Sequence, residues 1–256
     1  MKNLLFYLFL LLPNFILSQE IRRYEVPSSR QGVAVDDHHF YVINNASITK
    51  HRKTNGELIL QWKDITGAIE HLNSGIIIDD KLYCANSNYP KSPMASSIEI
   101  FNPNDLSHIG NHSFGIMNGS ATWIDRFENY WYVAFAHYTG RGGTEAKTNA
   151  WTRLVKFDTE WRQIESWIFP EELITQFGTR SNSGGVIHRG VIYVTGHDLK
   201  KLYQLEFPRM GYKLKWVGTY PVANEGQGIA IEVVEDKKLI YGIIKDEKVV
   251  VVSLLD

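Results

Sequence analysis

Turn chemistry seldom asks for histidine, so a histidine that closes an apolar run is the first place to look for reactivity. Two of the nine in this chain do so: His137 follows Trp131-Tyr-Val-Ala-Phe-Ala136, and His197 follows Ile192-Tyr-Val-Thr-Gly196. Tyr138 stands beside the first and Asp198 beside the second. Imidazoles with a phenol suit general acid and base catalysis: proton removal next to a carboxylate with elimination, or opening and closing of a lactone. That chemistry also needs a cation for the developing charge, and Arg30, Arg141 and Arg180 offer planar forks that grip a carboxylate at two points. His137, Tyr138 and His197 are therefore the candidate catalytic set. Arg30, Gln31, His71, Asn73, Asn86, Asn88, Arg141, Arg180, Asn182, Glu225 and Gln227 are the candidate substrate-binding set.

Two other chemistries stay open on the same residues. Metal-assisted hydrolysis would draw ligands from His71, His137, His197, Asp198 and Glu225, although no HExxH spacing supports it. Plain binding of a sugar or small acid would use Tyr89, Tyr138 and the amides. No cofactor is required by either protein-only reading, and the channel leaves room for a divalent metal. Each Asn taken singly is also an ordinary turn former, because it tolerates left-handed backbone and bonds to its own main chain. Nothing resembles a nucleophile elbow, a phosphate-binding Gly loop or a dinucleotide fingerprint.

A repeated phrase tells which elements position these residues. A small or amide residue opens an apolar strand, and an apolar–Tyr pair follows a few positions later. It occurs from Gln31, Asn73, Gly119, Asn182 and Gln227, with the Tyr at 41, 83, 132, 193 and 241. Repeats of this length, each holding several short alternating strands, predict an all-β propeller. The count is five blades of four antiparallel strands, with six blades as the alternative. The last unit lacks a fourth strand, and residues 21–26 supply one from the other end, which removes two open edges.

In such a ring the loops entering each first strand and the loops leaving each second strand share one face. Arg30, His71, Arg180 and Gln227 belong to the first group, and Asn86, His137 and His197 to the second. Two insertions break the rhythm. Residues 139–150 form a long loop whose Gly140-Arg-Gly-Gly143 reads as a flexible lid. Glu171–Phe177, after Pro170, reads as one or two helical turns. The Trp residues fall mostly on strands and predict packing between blades.

Residues 1–19 have the layout of an export signal: Lys2, the apolar run Leu4–Leu12 and the small Ser18. The run is too short and too broken by Pro13 to span a ~30 Å hydrocarbon core, so no stable membrane insertion is expected after cleavage. Residues 20–256 then form one propeller domain, periplasmic or secreted. Cys84 is the only cysteine, so no internal disulfide can form and burial must supply the stability. With 27 basic and 28 acidic side chains and no basic stripe, nucleic acid is disfavoured as a partner; a small-molecule or carbohydrate ligand is expected.

Several segments carry a resemblance: residues 73–90, Asn182-Ser-Gly-Gly185, Val194-Thr-Gly-His-Asp198 and Glu225-Gly-Gln-Gly-Ile-Ala230. They resemble exported bacterial β-propeller proteins labelled cycloisomerase-like, in the NHL/lactonase-like group, over most of the chain after residue 30. The resemblance implies a propeller and a cycloisomerase, lactonase or lyase activity on a small carbohydrate-derived acid or lactone. The alternative is a non-catalytic propeller that binds a glycan, small ligand or protein.

Overall fold

A computed structural model describes residues 19–255. The segment read as an export signal lies outside the described residues, apart from Gln19. Gln19 begins the first strand, β1 (Gln19–Glu25). Blade 1 is β2 (Gly32–Val35), β3 (His39–Asn44), β4 (Ser47–Arg52) and β5 (Leu58–Lys63). Blade 2 is β6 (His71–Ile78), β7 (Lys81–Ser87), β8 (Ser96–Phe101) and β9 (His108–Gly115). Blade 3 is β10 (Ser120–Phe127), β11 (Tyr130–Ala136), β12 (Arg153–Phe157) and β13 (Gln163–Ile168). Blade 4 is β14 (Gly184–His188), β15 (Val191–Thr195), β16 (Lys201–Glu206) and β17 (Lys215–Pro221). Blade 5 is β18 (Ala230–Val234), β19 (Lys237–Ile244) and β20 (Val249–Leu255), completed by β1.

All five sheets are four-stranded and antiparallel. Their first strands pack on one another in a closed circuit, β2 on β6, β6 on β10, β10 on β14, β14 on β18 and β18 on β2. The predicted five-bladed propeller, closed by the N-terminal strand, is thus the observed fold. β1 runs antiparallel to β20 from Gln19 opposite Leu254 to Glu25 opposite Val249. Tyr24 and Val26 are buried there with Phe40, Tyr241 and Val250, and the Tyr24 hydroxyl donates to the Lys53 carbonyl at 2.6 Å.

Local chemistry explains the hairpins. In blades 2, 3, 4 and 5 the first turn holds two consecutive residues of positive φ: Asp79-Asp80, Glu128-Asn129, Arg189-Gly190 and Glu235-Asp236. Such pairs match the right-handed twist of the flanking strands. The repeated Tyr residues sit on the second strands, all buried, and belong to the packing. Outer strands β9 and β17 alternate between exposed and half-buried residues, as sheets with one wet face do. The helix α1 (Glu171–Phe177) falls where it was expected and buries Leu173, Ile174 and Phe177. Cys84 is fully buried, and burial pushes its thiol pKa up.

Near the axis the strands meet through backbone. A methyl group on Gly32 would stand 2.7 Å from the Asn73 carbonyl oxygen and 3.0 Å from Gly228 Cα. One on Gly228 would stand 2.6 Å from Ser74 Cβ, and one on Gly184 would stand 2.2 Å from the Gln227 carbonyl oxygen. The Ser74 hydroxyl donates to the Thr122 carbonyl at 2.9 Å. At these contacts the inner strands of neighbouring blades come so close that only glycine fits. Among the described residues no helix is long and apolar enough to cross a membrane.

Candidate functional site

Above this glycine neck the face of entering loops opens into a cavity of about 510 Å³ to which all five blades contribute. Blade 1 brings Arg30 and Gln31 from the loop before β2, and Asn45 from the exit of β3. Gln31 Nε2 donates to Asn45 Oδ1 at 2.6 Å, and its carbonyl accepts from the Gly228 amide at 2.8 Å, joining blade 1 to blade 5. Blade 2 brings His71, Asn73 and Tyr89. Blade 3 brings Thr122, Tyr138 and Arg141; blade 4 brings Arg180, Ser183 and His197. Gln227, Lys245, Asp246 and Lys248 come from the last blade.

Two β-bulges place residues on the cavity floor. The register of β6 against β7 slips between Leu72 and Gly75, and that of β10 against β11 slips between Ala121 and Trp123. Each bulge re-aims one inner-strand residue, Asn73 and Thr122, as bulges beside binding sites commonly do. Asn73 Nδ2 donates to the Ala121 carbonyl at 3.0 Å, and its Oδ1 has no protein partner among the described residues.

The aromatic wall and the arginines are built together. His71 packs on Tyr89 with ring centroids 5.2 Å apart, and Tyr89 packs on Tyr138 at 4.8 Å. Arg180 Nη1 donates to the Tyr89 hydroxyl at 2.8 Å. The loop that carries Arg141 is seated on this wall. A methyl on Gly142 would lie 2.4 Å from the Tyr89 ring, and one on Gly143 would lie 1.9 Å from the Tyr138 carbonyl oxygen. Asn149 Nδ2 anchors the loop's far end to the carbonyls of Gly178 and Arg180, at 2.6 and 3.3 Å. The segment expected as a flexible lid is therefore packed against the cavity wall.

Electrostatics point one way. Arg30, Arg141, Arg180, Lys245 and Lys248 line the cavity against a single lining carboxylate, Asp246. A cavity rimmed mostly by one sign of charge concentrates counter-charged ligands. Burial, then Arg30 and His197, pull the His71 pKa down to about 4. Burial, then the Lys245 ammonium, also lower His197 despite its carboxylate neighbour. Both imidazoles are neutral at pH 7. His197 Nδ1 bonds to Asp198 Oδ1 at 2.5 Å, while Lys245 Nζ lies 3.5 Å from the same oxygen. That bond assigns the proton to Nδ1 and leaves Nε2 as the acceptor. Gln227 Nε2 donates to the His197 carbonyl at 2.8 Å and fixes the loop that presents the ring. Burial raises the pKa of Tyr138, so its hydroxyl is a donor rather than a phenolate.

Of the expected site residues, Arg30, Gln31, His71, Asn73, Tyr138, Arg141, Arg180, His197 and Gln227 meet in this cavity, and the others do not. His137 turns away from it. The ring lies over Gly119, Nε2 is 3.2 Å from the Asn118 carbonyl, Trp151 packs beside it, and the buried Nδ1 has no partner among the described residues. Asn182 is fully buried and structural: its Oδ1 accepts from Trp123 Nε1 at 2.5 Å, and its Nδ2 donates to the carbonyls of Gly184 and Thr195. Asn88 closes its own loop by accepting from the Ala95 amide at 2.9 Å and donating to the Pro93 carbonyl at 3.0 Å. Asn86 lies between Ser97 and the His71 amide, and Glu225 pairs with Lys200 at 3.6 Å. Thr122, Lys248 and Ser29 were not anticipated. The Thr122 bulge leaves no local sequence mark, whereas the lysines of 245–248 follow a second strand and were readable as a mouth loop. Among the described residues no group of three His, Cys, Asp or Glu is placed to hold a metal ion.

No family model and no curated protein matches the chain. Solved structures match its fold. Glutaminyl cyclase from Myxococcus xanthus aligns with a TM-score of 0.61 at 11% identity, over 94% of this chain and 98% of that one. A GH43 β-xylosidase/α-arabinofuranosidase from a compost microbial metagenome, solved with xylotriose, gives 0.57 at 12% identity over 93% of each chain. The PQQ-bound aldose sugar dehydrogenase of Streptomyces coelicolor gives 0.55 at 10% identity, over 92% of this chain and 97% of that one. At such identities the likeness is one of architecture, and residue roles do not transfer.

Proposed function

We propose that the protein is an exported propeller enzyme that acts on a small carbohydrate-derived acid or lactone by acid/base chemistry, of cycloisomerase, lactonase or lyase type. One observation carries this reading: a cavity rimmed by arginine and lysine holds two neutral imidazoles, one of them oriented by a carboxylate. Arg180 and Arg141 take the substrate carboxylate. His197 Nε2 accepts a proton from the carbon next to that carboxylate, or from the water that opens a lactone, and Asp198 stabilises the imidazolium that forms. Tyr138 donates a hydrogen bond to the oxygen that gains charge, and Asn73 and Gln227 orient sugar hydroxyls. The export assignment rests on residues 1–19 and on the resemblance of the chain to exported propellers. The aldose sugar dehydrogenase and the xylosidase among the structural matches add that this architecture accepts sugars in those proteins.

One observation favours the binding-only alternative. Both imidazoles are held below their ordinary pKa, so at neutral pH the cavity has two bases and no imidazolium to serve as acid. Incubation of the purified protein with uronic acids, aldonolactones and unsaturated sugar acids separates the readings. The enzyme reading expects turnover that His197→Gln abolishes and that Arg180→Ala lowers about a hundredfold in kcat/KM. Wild-type rates in both His197→Gln and His71→Gln overturn the acid/base assignment. Saturable binding of an acid without turnover of any compound establishes the binder instead.

A further inference from the structure

Neighbouring blades normally fill the space between them. Blades 2 and 3 do so with aromatic rings: Phe114 meets Phe135, Phe157 and Trp161 at centroid distances of 5.0, 5.1 and 5.7 Å. Blades 1 and 2 are packed by Ile43, Ile48, Leu82 and Phe101, and Trp62 of β5 seats one side of its indole on Phe101 at a centroid distance of 4.7 Å. Beyond Trp62 the packing stops. Two adjoining cavities of about 270 and 370 Å³ lie there, sharing Ala68, Glu99 and Asn111 as lining.

The walls of this cleft differ in character. On the β8–β9 face, Glu99 stands opposite Asn111 and Ser97 opposite Ser113, so hydroxyl, amide and carboxylate groups replace the apolar residues expected between blades. The Glu99 side chain is only 6% exposed; it accepts from the Ser97 hydroxyl at 2.5 Å and pairs with His108 Nε2 at 2.8 Å. The facing wall, from the end of β5 and the loop after it, presents Trp62 and the 93% exposed Ile65. Ser97 and His108 satisfy Glu99 from within its own blade, and the exposed Asn111 and Ser113 beside it extend the polar wall towards solvent, where a ligand's hydroxyls can reach it.

We propose that this inter-blade cleft binds a neutral carbohydrate, with a sugar ring on the Trp62 indole and its hydroxyls held by Asn111, Glu99 and Ser97. The chemistry of the walls selects the class. An anion would meet Glu99 and Glu70, the reverse of the cationic mouth. An apolar ligand would leave the Asn and Ser groups unpaired. A metal cation would find no group of three His, Cys, Asp or Glu ligands among the described residues. A ring with one C–H face and hydroxyls at its edge satisfies both walls. This site is separate from the central cavity and does not depend on the function proposed for it.

Isothermal titration calorimetry of the purified protein with xylotetraose, cellotetraose and maltotetraose tests the proposal. Saturable binding of at least one is expected. Trp62→Ala and Asn111→Ala each weaken it about tenfold or more, while Arg180→Ala leaves it unchanged. Asn111 is exposed, so its variant keeps the fold, which a thermal melt verifies. Absence of saturable heat with all three sugars overturns the proposal. Binding that survives both cleft substitutions, or that Arg180→Ala removes, overturns it equally by placing the sugar elsewhere.

Discussion

Replacing His71 with Gln should flatten the acid side of the stability profile. Burial, Arg30 and His197 hold the folded imidazole at a pKa of about 4, against 6.5 for an unperturbed histidine. Between those values the unfolded chain binds a proton that the folded chain refuses, so stability rises with pH there and is lost as pH falls. The gap amounts to roughly 3 kcal/mol once pH has dropped to about 4, and about 2 kcal/mol at about pH 5. These are upper figures, because the ring is partly open to the cavity. Urea denaturation of wild type and His71→Gln from about pH 7.5 to about pH 5 reads the difference directly. The other histidines titrate in both proteins and cancel, His197 included, because burial, Lys245, Asp198 and Arg180 set its shift and all remain in the variant. The variant should therefore lose on the order of 2 kcal/mol less than wild type over that range. Parallel curves for the two proteins would refute the assignment of His71 as a desolvated group beside cations.

Two further outcomes follow from the loop packing and the ring closure. Gly143→Ala cannot be accommodated against the Tyr138 carbonyl oxygen, so it should lift the loop and withdraw Arg141. About a tenfold loss of affinity for galacturonate by calorimetry is expected, with a melting temperature changed by only a few degrees, because the loop contributes little to the core. Deleting residues through Val26 removes β1 and bares the β20 edge, including the backbone partners of Val249–Leu254. Size-exclusion chromatography should then show association or aggregation, and thermal melting a large loss of stability; a monomer with unchanged melting temperature would contradict closure by this strand.

The fold was legible because the devices that make it are local. Alternating strands, paired left-handed turn residues such as Glu128-Asn129 and the helix after Pro170 are each written in a few neighbouring residues. The site was only half legible, and strand periodicity shows why. Asn45, Tyr89, Tyr138, His197 and Lys245 stand four or six residues beyond the repeated Tyr of their blade, and all reach the cavity. His137, Asn86 and Asn88 stand at odd distances and point elsewhere, as a period of two requires. His137 and His197 looked equivalent because both close a second strand, yet they differ by one residue in register. Asn44, the last residue of β3, and Asp246, in the turn after β19, also reach the cavity from odd distances, at the ends where alternation gives way. The bulges at Asn73 and Thr122 shift register by tertiary contact, and no residue type announces them.

The glycine neck governs what kind of site this ring can host. Gly32, Gly184 and Gly228 bring the inner strands of neighbouring blades close together below the cavity, which narrows the axis there. Chemistry is displaced upward to the entering loops and strand exits, where His71, Arg180 and His197 converge from blades 2 and 4. A ligand must then enter and leave by the same mouth, past the arginine and lysine rim. Under the proposed function, that arrangement suits a small acid whose charge is met at the rim while its reacting carbon lies at the imidazoles. It disfavours a long polymer threading the ring, and it gives a physical reason for an extended neutral sugar to find its place between blades 1 and 2 instead.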